Sequence, residues 1–312
     1  MDLSIVTTLY RSAPYIREFH RRASEAARKY GATEYELVFV NDGSPDDSLE
    51  LALELHRQDP HLVVVDLSRN FGHHKAIMTG LMQARGQRVF LIDCDLEEAP
   101  ELLETFSTEM QRTGADVVFG QQARRKGQWF ERISGDIFYR LLDCLSTERM
   151  PRNVVTARLM TRRYVQNLTE HRDREVFLLG LWTITGYKQV PVTIVKGSKG
   201  ETSYSLGRKI SVLVNAVTSF SNRPLVFIFY LGMLISSLSL GGAAYLVIRR
   251  LFFGDYLVGW PSLIVSIWLL GGFTILCVGI IGVYVAKIFM EVKQRPYTVV
   301  RAVHQSGDGK VS

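Results

Sequence analysis

At 312 residues, with 47% apolar and 22% charged side chains, the chain is too long for one small core and has room for an α/β domain plus a smaller appended unit. Its formal net charge of +6 suits an anionic partner, whether nucleotide, phospholipid surface or nucleic acid, without choosing among them. Cys94, Cys144 and Cys277 are odd in number and scattered, with no CxxC pair or His partner at metal-ligand spacing, which implies a reducing compartment.

Met1-Asp2 runs straight into a strand-like Leu3 to Thr8 with no basic-then-apolar signal segment, so the large domain is expected to stay in the cytoplasm. From LSIVTT onward, apolar runs and helical patterns alternate: a helix near 14–30, the strand ELVFV, a helix near 45–58, the strand LVVVDLS, a helix near 73–85 and the strand RVFLID. That alternation predicts a Rossmann-like, mostly parallel sheet with helices on both faces. Ligands of such sheets bind beyond the carboxyl ends of the strands.

Three strand ends carry polar clusters: Asn41-Asp42-Gly43-Ser44, Arg69-Asn70-Phe71-Gly72-His73-His74, and Asp93-Cys94-Asp95-Leu96-Glu97-Glu98. No GxGxxG or GxxxxGK[ST] loop is present, so neither a dinucleotide fingerprint nor a P-loop is available to hold phosphates. The Asp-Cys-Asp-Leu-Glu segment offers another means. Carboxylates two apart at the end of a buried strand can hold one hard cation against phosphate oxygens, and Mg2+ or Mn2+ fits oxygen ligands best. The plainer alternative is a solvated acidic helix start, with Glu97, Glu98 and Glu101 as ordinary first-turn residues. His73 and His74 either touch phosphates or simply begin a helix, and Cys94 is read as a small packing residue.

The last third holds the long apolar runs. Leu225 to Ile248 and Pro261 to Ala286 carry no acidic or basic side chain, and about 20 such residues suffice to cross a bilayer. Arg208, Lys209 and Arg223 precede the first run and Lys287, Lys293, Arg295 and Arg301 follow the second, while only Arg249 and Arg250 lie between. The positive-inside rule then places the first 220 or so residues and both termini in the cytoplasm, with 249–260 outside. Spans without ionic side chains make an anchor rather than an ion relay. Ser205 to Phe220 alternates basic and apolar residues, as an interfacial helix or an amphipathic helix packed on the domain would. The small-residue stretch Gly232 to Ala244 could pack helices, in this chain or in a homo-oligomer.

These strand ends, their order and the C-terminal hairpin resemble the polyprenyl-phosphate glycosyltransferases over essentially the whole chain. That group includes dolichol-phosphate mannose synthase and the bacterial undecaprenyl-phosphate sugar transferases. The resemblance implies a GT-A fold over 1–204, a juxtamembrane helix over 205–222, two transmembrane helices within 223–290 and a cytoplasmic tail over 291–312. Val6 to Tyr10 resembles the family's opening strand and loop, Asp42-Gly43-Ser44 its base- and ribose-cradling turn, and Ser68 to Gly72 its Ser-Arg-Asn-Phe-Gly segment letter for letter. Donor-binding roles are thereby implied for Thr8, Tyr10, Asp42, Gly43, Ser44, Asn70, Gly72 and Asp93. The family's Asp-Ala-Asp-Leu-Gln followed by Pro-Glu corresponds to Asp93 to Glu97 with Pro100-Glu101, which implies Asp93, Asp95 and Glu97 as metal ligands. Glu for Gln keeps an oxygen ligand and adds charge.

Phe138-Tyr139-Arg140, Arg158-Leu159-Met160 and Glu175 with Gly180 match the family spacing, and Thr218 to Pro224 resembles its Ser-Phe-Ser segment. Lys196 to Tyr204 resembles its mobile loop, glycine-rich as a lid must be. Catalytic roles follow for Asp95, for Arg124, Arg125 or Arg140 toward an acceptor phosphate, and for Lys199 in the lid; the plainer alternatives are a solvated helix face for the arginines and an ordinary solvent loop for the lid. The chain departs from the pattern at Thr156, where many members carry Asp, and at Gln121-Gln122, where an Arg is usual, with Arg124 and Arg125 beyond.

The implied activity is inverting transfer of a sugar from a nucleotide-sugar donor to a polyprenyl (undecaprenyl) phosphate at the cytoplasmic face of a bacterial inner membrane, for cell-envelope glycan assembly or modification. A phosphate monoester, with its second pKa near about 6, is already ionised at neutral pH and needs no general base. Two alternatives stand: extension of a lipid-linked oligosaccharide at a sugar hydroxyl, with Asp173 or Glu175 as base, and an inactive membrane scaffold. Nucleic acid is disfavoured, because the basic residues gather beside the apolar runs where lipid headgroups would be. Cutting the chain after Phe220 is expected to leave a foldable nucleotide-binding domain.

Overall fold

The computed structural model describes residues 1–122, 151, 153–174, 176–194, 223–253 and 259–306. The chain forms two compact units: Met1–Tyr139, Glu148–Tyr204 and Arg295–Ser312 in one, Arg140–Thr147 with Ser205–Gln294 in the other.

In the first unit the elements run β1 (Leu3–Leu9), α1 (Ile16–Lys29), β2 (Tyr35–Asn41), α2 (Ser48–Gln58), β3 (Leu62–Leu67), α3 (His73–Gln83), β4 (Arg88–Leu91), α4 (Leu102–Thr113) and β5 (Val117–Gln122). Then follow β6 (Val154–Thr161), α5 (Arg162–Glu170), α6 (Leu178–Ile184), β7 (Gln189–Ile194) and, after the apolar helices, β8 (Val300–His304). The sheet order is β7-β5-β6-β4-β1-β2-β3-β8. β3, β2, β1 and β4 are parallel neighbours, whereas β6 runs antiparallel to both β4 and β5.

The central strands are nearly continuous apolar runs because both of their faces are covered. Leu3, Ile5 and Leu9 of β1 face Phe19, Ala23 and Ala27 of α1, with Phe106 and Met110 of α4 in the same core. Each large side chain buried there contributes about 1.5–3 kcal/mol. Helix α3 covers the opposite face at close range. A Cβ on Gly80 would lie 2.6 Å from Val6 Cγ1 and 2.8 Å from Val40 Cγ2, so only glycine lets the helix backbone approach β1 and β2.

One element escapes the sequence reading. The segment read as a plain tail contains β8, which pairs antiparallel with β3, Val64 opposite His304 and Val65 opposite Val303. Without β8, β3 would present a bare edge of unpaired N–H and C=O groups on the run Val63-Val64-Val65. Cutting the chain after Phe220 therefore removes part of the sheet, contrary to the expectation of a self-sufficient domain. Residues 1–220 alone are expected to self-associate and to melt below the full chain, as size-exclusion chromatography and thermal unfolding will register. A monomeric fragment of parental melting temperature would show β8 to be dispensable.

The second unit contains α7 (Arg223–Phe253) and α8 (Trp260–Val292), 31 and 33 residues long, or about 45–50 Å each at 1.5 Å per residue. Their ranges contain the apolar runs 225–248 and 261–286. Phe227, Leu238 and Leu251 on α7 and Ile267, Trp268 and Ile275 on α8 are exposed, an apolar surface of a size that soluble proteins rarely leave open. Among the described residues, Ser266–Val292 is long and apolar enough to cross a membrane, and Arg223–Ile235 is a shorter apolar stretch.

Candidate active site

The chain lays β1, β2 and β3 side by side and then crosses to place β4 on the other flank of β1. That reversal opens a crevice at the carboxyl ends of β1 and β4, the place where α/β sheets bind ligands. Thr8 lies at the end of β1, Asp93 just beyond β4, and His73 begins α3. His73 joins the two strand ends: its Nδ1 lies 3.1 Å from Thr8 Oγ1 and its Nε2 3.5 Å from Asp93 Oδ1. The sequence left His73 without a definite role. The available signal was a first helical turn with no acidic residue, occupied by His73, His74 and Lys75. Cations are poorly placed at the positive end of a helix dipole unless an anion joins them.

The Asn41–Ser44 turn and the Ser68–Gly72 loop lie against each other, and the carboxylate of Asp42 is turned between them. The Asp42 carboxylate is 2% exposed. Its Oδ1 accepts from Phe71 N at 2.7 Å and its Oδ2 from Gly72 N at 3.0 Å. Asp42 therefore faces inward and shapes the Ser68–Gly72 loop instead of presenting itself to a ligand. Burial pushes its carboxyl above the ordinary value, and the two backbone donors pull the other way. Gly43, at φ +57°, packs its Cα directly on the backbone of Arg69 and Asn70, so the two arms of the cradle touch.

Ser44 ties the cradle to the loop after β1. Its Oγ accepts from Arg11 N at 2.7 Å and donates to Asp46 Oδ1, which also accepts from Ser48 Oγ. Burial raises the Asp46 carboxyl, but these hydroxyls and the Ala13 N–H hold it below its usual range. Tyr10 and Asn70 are exposed at the rim, and Thr8 and Gly72 are half-buried.

The Asp93–Glu98 turn is set by Leu96 at φ +61° and by Asp95 Oδ1 accepting from Glu97 N at 3.1 Å. Asp93, Asp95 and Glu97 are all half-buried. Glu98 is 1% exposed, and its Oε2 accepts from Ala157 N at 2.7 Å, fastening the turn to β6. Behind the turn lies Arg158, also 1% exposed, donating to the carbonyls of Thr156 and Val155 and stacked on Trp182. Burial lowers its pKa to about 9, with Tyr164, Glu98 and Asp93 opposing, so a buried positive charge stands behind Asp93 at neutral pH. The sequence matched Arg158 to a family triplet but gave it no task.

A cavity of about 330 Å3 adjoins His73 and is lined by Ile77, Gln122, Asn153, Thr156, Phe177 and Trp182 among others. The two family departures, Thr156 and Gln122, thus meet in one space. The indole N–H of Trp182 is buried and has no hydrogen-bond partner among the described residues. Arg124, Arg125, Arg140, Glu175 and the whole Lys196–Tyr204 loop with Lys199 lie outside the described residues.

Among the described residues no three His, Cys, Asp or Glu side chains are grouped so as to hold a metal ion by themselves, so the expected trio Asp93, Asp95 and Glu97 does not form a closed cage. Carboxylate oxygens remain the right donors for a hard cation. Mg2+ is ordinarily held by one or two carboxylates, with phosphate oxygens and waters completing its shell, and the turn beyond β4 fits that kind of site.

The strand-order reversal gathers a carboxylate turn, a backbone cradle and a cationic helix start at one crevice, the arrangement expected of a GT-A fold. Residues 4–169 match the model of Glycosyl transferase family 2, and the chain belongs to that family. A Mycobacterium tuberculosis (strain CDC 1551 / Oshkosh) protein whose name goes no further than glycosyltransferase is 53% identical over 98% of this chain and 89% of its own. The SfII prophage-derived bactoprenol glucosyl transferase of Shigella flexneri is 31% identical over 98% of this chain and 99% of its own. Among solved structures, S. aureus TarS 1-349 aligns with 70% of this chain at 18% identity and a TM-score of 0.47, the chain spanning 65% of that structure.

Proposed function

We propose that this glycosyltransferase moves a sugar from a nucleotide-sugar donor onto a polyprenyl phosphate, with inversion at the anomeric carbon, at the cytoplasmic face of a bacterial inner membrane, for cell-envelope glycan assembly. The observation that carries this reading is the end-to-end likeness to bactoprenol glucosyl transferase, 31% identical over 308 residues. The apolar helices α7 and α8 support a membrane anchor, and the excess of Arg and Lys flanking the pair over the loop between them supports cytoplasmic termini.

In this reading Tyr10 and the Gly43-Ser44 turn receive the base and ribose, with Asn70 and Gly72 on the facing arm. Thr8, His73 and the N-terminus of α3 receive the donor phosphates, where unpaired backbone N–H groups favour an anion. Asp93, Asp95 and Glu97 hold Mg2+ or Mn2+, which supplies Lewis-acid stabilisation of the leaving pyrophosphate when bound. Arg158 sets a buried positive charge behind Asp93 and partly offsets the negative charge gathered at the turn. The cavity beside His73 takes the sugar and the acceptor's phosphate end, with Gln122 and Thr156 as hydrogen-bonding groups. Arg124, Arg140 and Lys199 are assigned to the acceptor phosphate and the lid. The phosphate monoester attacks C1 as an anion while the bond from C1 to the donor's phosphate oxygen breaks and the nucleoside diphosphate leaves with the electron pair, so no general base is required.

The test is transfer of radiolabel from UDP-, GDP- and dTDP-sugars into membrane lipid supplied with undecaprenyl phosphate, with and without EDTA. Label is expected in a mild-acid-labile lipid, lost with EDTA and restored by Mg2+ or Mn2+. Label appearing only on a longer lipid-linked glycan would make a sugar hydroxyl the acceptor, and no transfer from any donor would favour the scaffold.

A further inference from the structure

Ser68 opens the donor loop, and both its backbone groups are taken by the returning C-terminal strand: its N–H donates to Val299 O at 2.9 Å, and its carbonyl accepts from Arg301 Nη2 at 2.7 Å. The same guanidinium places Nη1 3.3 Å from Asp66 Oδ2. Asp66, buried at 4% exposure, accepts on its other oxygen from Asn41 Nδ2 at 2.8 Å, and Asn41 Oδ1 accepts from Ser44 N at 3.2 Å. One side chain therefore reaches both arms of the cradle, the Ser68–Gly72 loop directly and the Asn41–Ser44 turn through Asp66.

The local backbone explains how it does so. β3 and β8 pair Asp66 with Ala302 and Leu67 with Val300, which leaves Arg301 as the extra residue of a β-bulge. Bulges re-aim a side chain away from the strand's regular alternation, and here the re-aimed side chain bends back over the end of β3. Regular pairing to the end of the strand would not leave this residue unopposed.

We infer that Arg301 is a positioning residue for the donor site, holding the two arms in their binding shape from a strand that lies beyond the apolar helices in the chain. The inference rests on the donor-site reading above. It implies that the cradle is complete only when the segment following α8 has docked on β3.

The test uses the full-length, detergent-solubilised chain. Amide hydrogen exchange over residues 66–73, followed by mass spectrometry, reads the loop without ligand. Titration with UDP, GDP and dTDP reads the site. Arg301→Gln is expected to speed exchange and to weaken binding of the preferred nucleotide about tenfold each, the size expected for losing hydrogen bonds to a charged group. Arg301→Lys, which keeps the charge without the fork, should fall between, and it carries the test alone if Arg301→Gln does not fold. His304→Ala, at the far end of β8 where the ring meets His56, should leave both readouts within about twofold. Unchanged exchange or unchanged affinity in the Arg301 variants overturns the inference, as does an equal effect of His304→Ala. A parent protein that binds none of the three nucleotides instead sinks the donor-site reading, and this inference with it.

Discussion

Asp95→Asn is expected to cut sugar transfer about a hundredfold to a thousandfold, as removing one group that stabilises developing charge does, while the melting temperature moves by no more than about 2 °C. The contrast comes from what each oxygen of Asp95 does. Its Oδ1 accepts from Glu97 N and helps hold the turn in which Leu96 sits at φ +61°. Asparagine keeps that acceptor, so the turn survives. What disappears is one negative charge on a half-buried group next to the crevice, and the proposed cation, shared with phosphate oxygens, would depend on that charge. Thermal melts with and without Mg2+ separate the two effects, since only the metal-induced shift should be lost. Full activity with unaltered EDTA sensitivity would remove Asp95 from the site.

The legible part of this molecule was the part that depends on short-range pattern. Alternating apolar runs predicted β1 to β4 with the intervening helices α1, α2 and α3, and polar residues at three strand ends marked the crevice. Side-chain direction was not legible. Asp42 sits in a motif that resembles a ligand-binding turn, but its carboxylate faces Phe71 and Gly72, and nothing within the turn itself distinguishes inward from outward. Arg158 was masked in another way. An arginine in an apolar strand reads as an exposed position until Glu98 and Trp182, distant in the chain, supply the acid and the aromatic face beside it. Least legible was β8, a five-residue strand whose partner β3 lies more than 200 residues away. Periodicity cannot reveal which edge so short a segment will cover, and Arg301 becomes informative only once that pairing and its bulge are known.

Gly43→Ala should be the most damaging single methyl group in the donor site. At φ +57° an added Cβ is strained in itself, and at this position it would also fall 2.4 Å from Asn70 N and 2.5 Å from the carbonyl carbon of Arg69. Both obstacles are backbone, so no rotamer change relieves them, and the arms of the cradle must separate. The expected cost is about 2–4 kcal/mol, a drop of roughly 5–15 °C in melting temperature for a domain of this size, with nucleotide binding lost. Gly114→Ala provides the control. Gly114 caps α4 at φ +61° with nothing within 4 Å of the added Cβ, so it bears the conformational strain alone, about 1 kcal/mol, away from the crevice. If strain were all that mattered, the two variants would melt alike and bind nucleotide alike. A larger loss of stability at Gly43, together with loss of binding that Gly114→Ala does not share, is what direct contact between the Asn41–Ser44 turn and the Ser68–Gly72 loop requires.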